Sequence, residues 1–180
     1  MKATGIVRRV DNLGRVVIPK EIRRTMRIRE GEPLEIFTDK DGEVIFKKYS
    51  PIGEVGAFTS QYAEAVNKSS GIPVAICDND TVIAVAGVPK KDLLEKPISP
   101  ALFDVIEKRQ SYSAMAGNPT PLEVTENGLG TVSFLSPIVA EGNVIGAVMS
   151  LQQERGGSPD DAEKKLISAG AMFLSSQLEL

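Results

Sequence analysis

Histidine is absent from the 180-residue chain, and cysteine occurs once, at Cys77. Without histidine there is no Ser-His-Asp or Cys-His nucleophile system and no histidine metal site. A single thiol excludes an internal disulfide, a CxxC pair and a four-cysteine zinc site, and fits a reducing compartment. Long apolar runs are missing too. The longest stretch free of charge, Asn127 to Ala140, has 14 residues, short of the ~18 that a membrane span needs. Arg8, Arg9 and Arg15 interrupt the start before any apolar run, so no secretory leader is expected. What is present is 42% hydrophobic residues, enough for a buried core in one or two domains. Only carboxylates and hydroxyls are left for catalysis, and no close carboxylate pair stands out. The expectation is a protein that is not an enzyme and carries no cofactor and no metal.

Charge is unevenly spread. The whole chain carries a net −3, yet residues 1–50 hold 12 basic against 8 acidic side chains, and residues 51–180 hold 9 against 16. The excess sharpens to 9 against 2 over residues 1–29. Seven of those basic groups, Arg8, Arg9, Arg15, Lys20, Arg23, Arg24 and Arg27, fall within one short stretch. A basic head on an acidic body points to a polyanion partner. Guanidinium groups stay charged and pair two-pronged with phosphate or with guanine O6 and N7, which suits duplex DNA.

The pattern over residues 1–50 predicts β-β-α-β-β. Residues 4–10 alternate as a strand, Asp11-Asn12-Leu13-Gly14 is a turn cluster, and Arg15 to Ile18 returns, so 5–18 reads as a hairpin. Pro19 opens a short helix over Lys20 to Met26 that ends by Gly31 and Pro33. Strands over Leu34–Phe37 and Val44–Phe46 flank an Asp39–Gly42 turn. A unit this small, with no disulfide or metal to staple it, needs a partner. Interleaved hairpins from two chains would close its sheet edges, so an obligate homodimer through residues 1–50 is expected.

A boundary is expected at Tyr49-Ser50-Pro51. Beyond it, Ile52, Val55, Phe58, Tyr62 and Val66 predict one amphipathic helix. Strands follow over Ile72–Cys77 and Thr81–Ala86 around an Asp78-Asn79-Asp80 turn. A helix capped by Ser99-Pro100 runs to about Arg109, and a strand is expected over Ser111–Met115. Residues 116–130 read as a loop. Strands Thr131–Ala140 and Val144–Leu151 enclose a tight hairpin, with Pro137 at an edge or a bulge. A last helix starts at Ser158-Pro159-Asp160-Asp161 and runs to the C-terminus. This is an α+β domain with its terminal helices on one side of an antiparallel sheet. Cys77 reads as a core thiol, Asp78 and Asp80 as turn residues, and Gly128–Gly130 as a surface loop without the lysine of a phosphate-binding loop.

Thr4-Gly5-Ile6-Val7-Arg8-Arg9-Val10, followed by Leu13-Gly14-Arg15-Val16-Val17-Ile18-Pro19-Lys20-Glu21-Ile22-Arg23-Arg24, resembles the N-terminal domain of the AbrB-type transition-state regulators. Leu34-Glu35-Ile36, the Asp41-Gly42 turn and Lys47-Lys48-Tyr49 continue the likeness. The resemblance implies a swapped-hairpin β-barrel formed by two chains. It implies duplex DNA binding through Arg8, Arg15, Arg23 and Arg24, with Arg9, Lys20 and Arg27 as outlying phosphate partners. Chain length and layout further resemble the sporulation regulators of this family in which such a head, residues 1–50, precedes a GAF-like domain, residues 51–180. That implies a homotetramer assembled through the GAF-like domains, regulation of sporulation genes as activator or repressor, and a cytoplasmic, nucleoid-associated location in the developing forespore. It also implies a sensing role for the GAF-like domain, with a small-molecule ligand whose identity stays open, since the Asn-Lys-Phe-Asp-Glu pattern of cyclic-nucleotide-binding GAF domains is not found. An antitoxin-type interaction module built on the same barrel is the alternative reading. A folded tail of about 130 residues counts against it, because antitoxin tails are usually short and disordered.

Overall fold

Residues 5–18 behave only in part as the alternation predicts. In the computed structural model, which describes residues 4–115, 120–153 and 157–178, their turn forms but their ladder does not. The Asp11 N–H donates to the Arg15 carbonyl at 3.0 Å and the Gly14 N–H to the Asp11 carbonyl at 3.1 Å, with Gly14 at φ +76°. On either side the chain has no regular secondary structure and pairs with no strand of its own chain among the described residues. A lone two-stranded ribbon is marginal in water, and among the described residues no third strand pairs with this segment.

The chain divides into two units, Met1–Tyr49 and Ser50–Leu180. The first contains helix α1 (Lys20–Thr25) and an antiparallel pair, β1 (Leu34–Thr38) and β2 (Val44–Lys48), registered Ile36 against Phe46. Among its described residues no large apolar side chain is buried. Val7, Leu13 and Val17 are 89%, 69% and 72% exposed, and Ile36, Val44 and Met26 are also open. Apolar exposure on this scale marks an interaction surface.

The second unit builds one antiparallel sheet from β3 (Val74–Asp78), β4 (Val82–Ala86), β5 (Tyr112–Ser113), β6 (Val132–Ala140) and β7 (Asn143–Leu151), in the order β4-β3-β7-β6-β5. Both faces are covered, so β3 is apolar from Val74 to Cys77 and these side chains divide between two cores. Val74 and Ile76 pack under α2 (Pro51–Glu54), α3 (Gly56–Ser70) and α6 (Asp161–Leu178), with Ile52, Val66, Ile167 and Leu174. Ala75 and Cys77 face α4 (Lys90–Leu93) and α5 (Pro100–Glu107), with Leu93, Leu102 and Ile106. The terminal helices thus share one side, in an α+β architecture.

Caps and turns follow the sequence closely. The Ser99 hydroxyl accepts the Leu102 N–H at 3.0 Å and donates to the Glu123 carbonyl at 2.7 Å, which fixes the start of α5. Asp160 accepts the Glu163 N–H at 2.7 Å at the start of α6. Glu141 (φ +48°) and Gly142 (φ +77°) form a two-residue turn with the double positive φ that a tight hairpin favours. Pro137 lies where β5, paired only to Phe134 and Leu135, no longer covers β6, beside a register shift at Ile138/Val139.

The helix predicted from Ile52 to Val66 is corrected. It breaks at Val55 into α2 and α3, and the buried face of α3 is Thr59, Ala63 and Val66. Small side chains let α3 approach the sheet closely, so Phe58 and Tyr62 move to its flank. There their rings lie 6.2 and 6.3 Å from that of Phe173 on α6. Tyr62 also donates to the Leu166 carbonyl, and its ring leaves no room for a side chain at Gly170. The loop read over 116–130 is held at its far end by bridges Ile98 to Thr125 and Glu123 to Thr131, while 116–119 lie outside the described residues. The last helix ends at Leu178 as described, with 179–180 outside.

Candidate nucleic-acid interface

All seven basic residues singled out by charge fall in the first unit, and all are exposed except the half-buried Arg23. Arg8 and Arg9 precede the turn and Arg15 follows it. The single chain does not register the Arg8 segment against the Arg15 segment, because no ladder joins them. It does bring Lys20, Arg23, Arg24 and Arg27 together. Spacings of three and four place Lys20, Arg23 and Arg24 on neighbouring turns of α1, and Arg27 follows at its exit. Arg23 and Arg24 occupy the last turn, where the helix dipole favours positive charge.

The exit from α1 is unusual. The Arg27 N–H donates to the Arg24 carbonyl at 3.2 Å and the Ile28 N–H to the Arg23 carbonyl at 2.7 Å. This is the paired C-terminal capping pattern that normally carries glycine, yet Arg27 itself adopts φ +52°. The helix ends within a residue of the stop expected at Met26, but the sequence places its glycine, Gly31, four residues beyond Arg27, so the left-handed cap itself was not legible.

Asp11 organises the turn before α1. Its Oδ1 accepts the Leu13 N–H at 2.9 Å and the Arg15 N–H at 2.8 Å, and its Oδ2 accepts Nε–H of Arg15 at 2.7 Å. The Arg15 backbone N–H, then its guanidinium, hold the Asp11 carboxyl below its ordinary value. The turn between β1 and β2 repeats this geometry. Asp39 Oδ1 accepts the Asp41 and Glu43 amides at 3.0 and 2.9 Å, and Gly42 sits at φ +80°. Reading Asp11 only as a turn former missed its hold on the arginine. The cue in the sequence is aspartate followed by arginine four residues later across the turn.

The remaining candidates sit in the second unit. Cys77 is fully buried, and burial pushes its thiol well above the ordinary range, which makes it a core residue. Asp78 accepts the Asp80 and Thr81 amides at 2.8 and 2.7 Å and the Ser50 hydroxyl at 3.1 Å, so its carboxylate is spent on a turn and on the first residue of the unit. The Gly128–Gly130 loop is closed by Thr125, which accepts the Leu129 N–H at 3.0 Å. Among the described residues no helix is long and apolar enough to cross a membrane.

Comparison with known proteins converges on the same regions. Residues 54–179 match the family described as stage V sporulation protein T C-terminal, transcription factor. Residues 7–54 match the family described as antidote-toxin recognition MazE, bacterial antitoxin. Stage V sporulation protein T of Bacillus subtilis is 50% identical over 182 residues, covering 99% of both chains. The transition state regulatory protein AbrB of the same organism is 63% identical over 51 residues, covering 28% of this chain and 52% of its own. A methyl-accepting chemotaxis protein crystallised as residues 122 to 287 superposes with a TM-score of 0.51 at 20% identity, over 71% of this chain and 92% of that one, a likeness of fold.

Proposed function

The chain belongs to the stage V sporulation protein T family of transcription factors, and from that premise we propose how its geometry serves regulation of sporulation genes. It is a DNA-binding regulator. Arg8, Arg15, Arg23 and Arg24 are the principal DNA contacts, and Arg9, Lys20 and Arg27 are outlying phosphate partners. The observation that carries this reading is the run of exposed basic side chains from Arg8 to Arg27 in a unit whose apolar residues are also uncovered. A second copy would cover Val7, Leu13 and Val17 by pairing its hairpin with the open segments 5–10 and 15–18. The same act would double every arginine on one face, as a duplex with two phosphate strands requires.

The second unit, Ser50–Leu180, then serves assembly and sensing. Pairing of GAF-like domains through α3 and α6 would join two dimers into a tetramer, with the exposed Phe58, Met172 and Phe173 as the apolar contact. A small-molecule ligand would alter DNA binding only by preferring one arrangement of these domains. Action on the nucleoid of the forespore follows from the family reading. The antitoxin description of residues 7–54 favours a second reading, a protein-interaction module, but the folded core of the second unit is unlike a short tail that orders on its toxin.

The deciding measurement is fluorescence anisotropy on a promoter-length duplex across a salt series. Affinity should fall steeply with salt. In the double variant Arg23→Ala/Arg24→Ala the slope should become shallower by roughly three to four if all four guanidiniums of a dimer sit on phosphates. An unchanged affinity in a correctly folded double variant would refute these contacts.

A further inference from the structure

The two aspartate turns of the first unit differ in one respect. At Asp39 the side chain accepts two backbone amides, and the residue four positions on is Glu43. At Asp11 the same two bonds are made by Oδ1, and the second oxygen takes Nε–H of Arg15. The turn therefore closes without any guanidinium, and the bond to Arg15 is an addition to it. That bond adds little stability, because the two side chains are 70% and 36% exposed and water screens such a pair. Its effect is directional. With Nε held, the side chain cannot sweep freely about its long stem, and the end-on edge carrying Nη1 and Nη2 is left uncommitted. That edge is the one that meets a phosphate or a guanine two-pronged.

We propose that Asp11 is a positioning residue for DNA recognition, whose Oδ2 aims the guanidinium of Arg15 so that its terminal nitrogens are presented to the duplex. This rests on the reading of Arg15 as a DNA contact. A flexible arginine attracts any phosphate, whereas an aimed one favours the duplex whose groups meet it in place. Aiming therefore acts on discrimination more than on total affinity.

Asp11→Asn separates aiming from turn formation. The amide oxygen still accepts the two backbone N–H groups, while its NH₂ presents a donor to Nε–H and breaks the hold. Affinities of the full chain would be measured for a duplex enriched from a random pool by the native protein and for a shuffled duplex of equal composition. The ratio of the two should fall roughly five-fold in Asp11→Asn, through weaker binding of the enriched duplex alone. In an Arg15→Ala background the same substitution should change nothing further. Arg15→Lys, which leaves Asp11 and the charge in place, should lower the ratio while keeping the salt slope, and serves if Asp11→Asn fails to fold. Three results overturn the proposal. In the first, Asp11→Asn tightens both duplexes equally, which makes Asp11 a mere counter-charge. In the second, the ratio drops just as far in the Arg15→Ala background. In the third, Arg15→Ala leaves both affinities unchanged, which removes the contact reading itself.

Discussion

Arg27 holds a backbone conformation that costs an ordinary residue about 1–2 kcal/mol, in a capping pattern where glycine is free of that cost. A basic side chain at this position, at the end of a helix already bearing Lys20, Arg23 and Arg24, is consistent with the phosphate-facing role proposed above. Two substitutions separate conformation from charge. Arg27→Ala and Arg27→Gly remove the same side chain and whatever it contacts. The glycine variant should be the more stable of the pair by about 1 kcal/mol, and both should weaken DNA binding to the same small extent. Thermal unfolding and anisotropy, run on both variants, check this. Equal melting temperatures would contradict a strained Arg27. The residue also shows a limit of reading a chain by its glycines. Asp11-Asn12-Leu13-Gly14 announces its turn because glycine takes the positive φ, whereas Arg27 takes a positive φ with no signal at all.

Elements whose stability is local, or lies within one chain, were legible. The proline before α1, the serine cap of α5, the aspartate cap of α6 and the Glu141-Gly142 turn each act through neighbours in sequence, and each stands where residue chemistry puts it. Long-range packing was legible only in part. The spacing of Ile52, Val55, Phe58, Tyr62 and Val66 fits one helix face, but contact with the sheet selects Thr59 and Ala63 and turns the rings toward Phe173. The ladder expected over residues 5–18 does not form within one chain; in the proposed dimer a second chain would supply its hydrogen-bonding partners. Close packing also sets a test at Gly146 in β7. It pairs with Asp78 on β3 and Ile138 on β6, and a Cβ there would run into the Cys77 backbone carbonyl. Backbone at the centre of a sheet cannot yield as a flexible side-chain end can. Gly146→Ala should therefore destabilise the second unit by about 1–3 kcal/mol, read as a lower midpoint in chemical denaturation. A midpoint equal to the native one would mean that the sheet opens there at no cost.

At the scale of the whole molecule, the charge division and the two units imply a separation of labour. A basic head of about 50 residues meets DNA, and an acidic body, which the duplex repels, can approach DNA only through that head. In the proposed tetramer two dimeric heads are tied together by the second units, so binding of the first head makes the second binding event intramolecular. Its effective concentration is then set by the tether, and apparent affinity can rise about 10²–10⁴-fold without a new contact. A fragment of residues 1–52 isolates the contribution of the tether. On a duplex too short for two heads, fragment and full chain should bind alike, because the contacting arginines are the same. On a duplex long enough for both, the full chain should bind more tightly and dissociate more slowly, while the fragment gains nothing beyond the number of sites. The fragment should sediment as a dimer throughout, since its apolar side chains have no other cover. A fragment that matches the full chain on the long duplex would remove the bivalent arrangement, leaving the body a sensor alone. A monomeric fragment that still bound DNA would instead break the link between the hairpin partner and the doubling of Arg8, Arg15, Arg23 and Arg24.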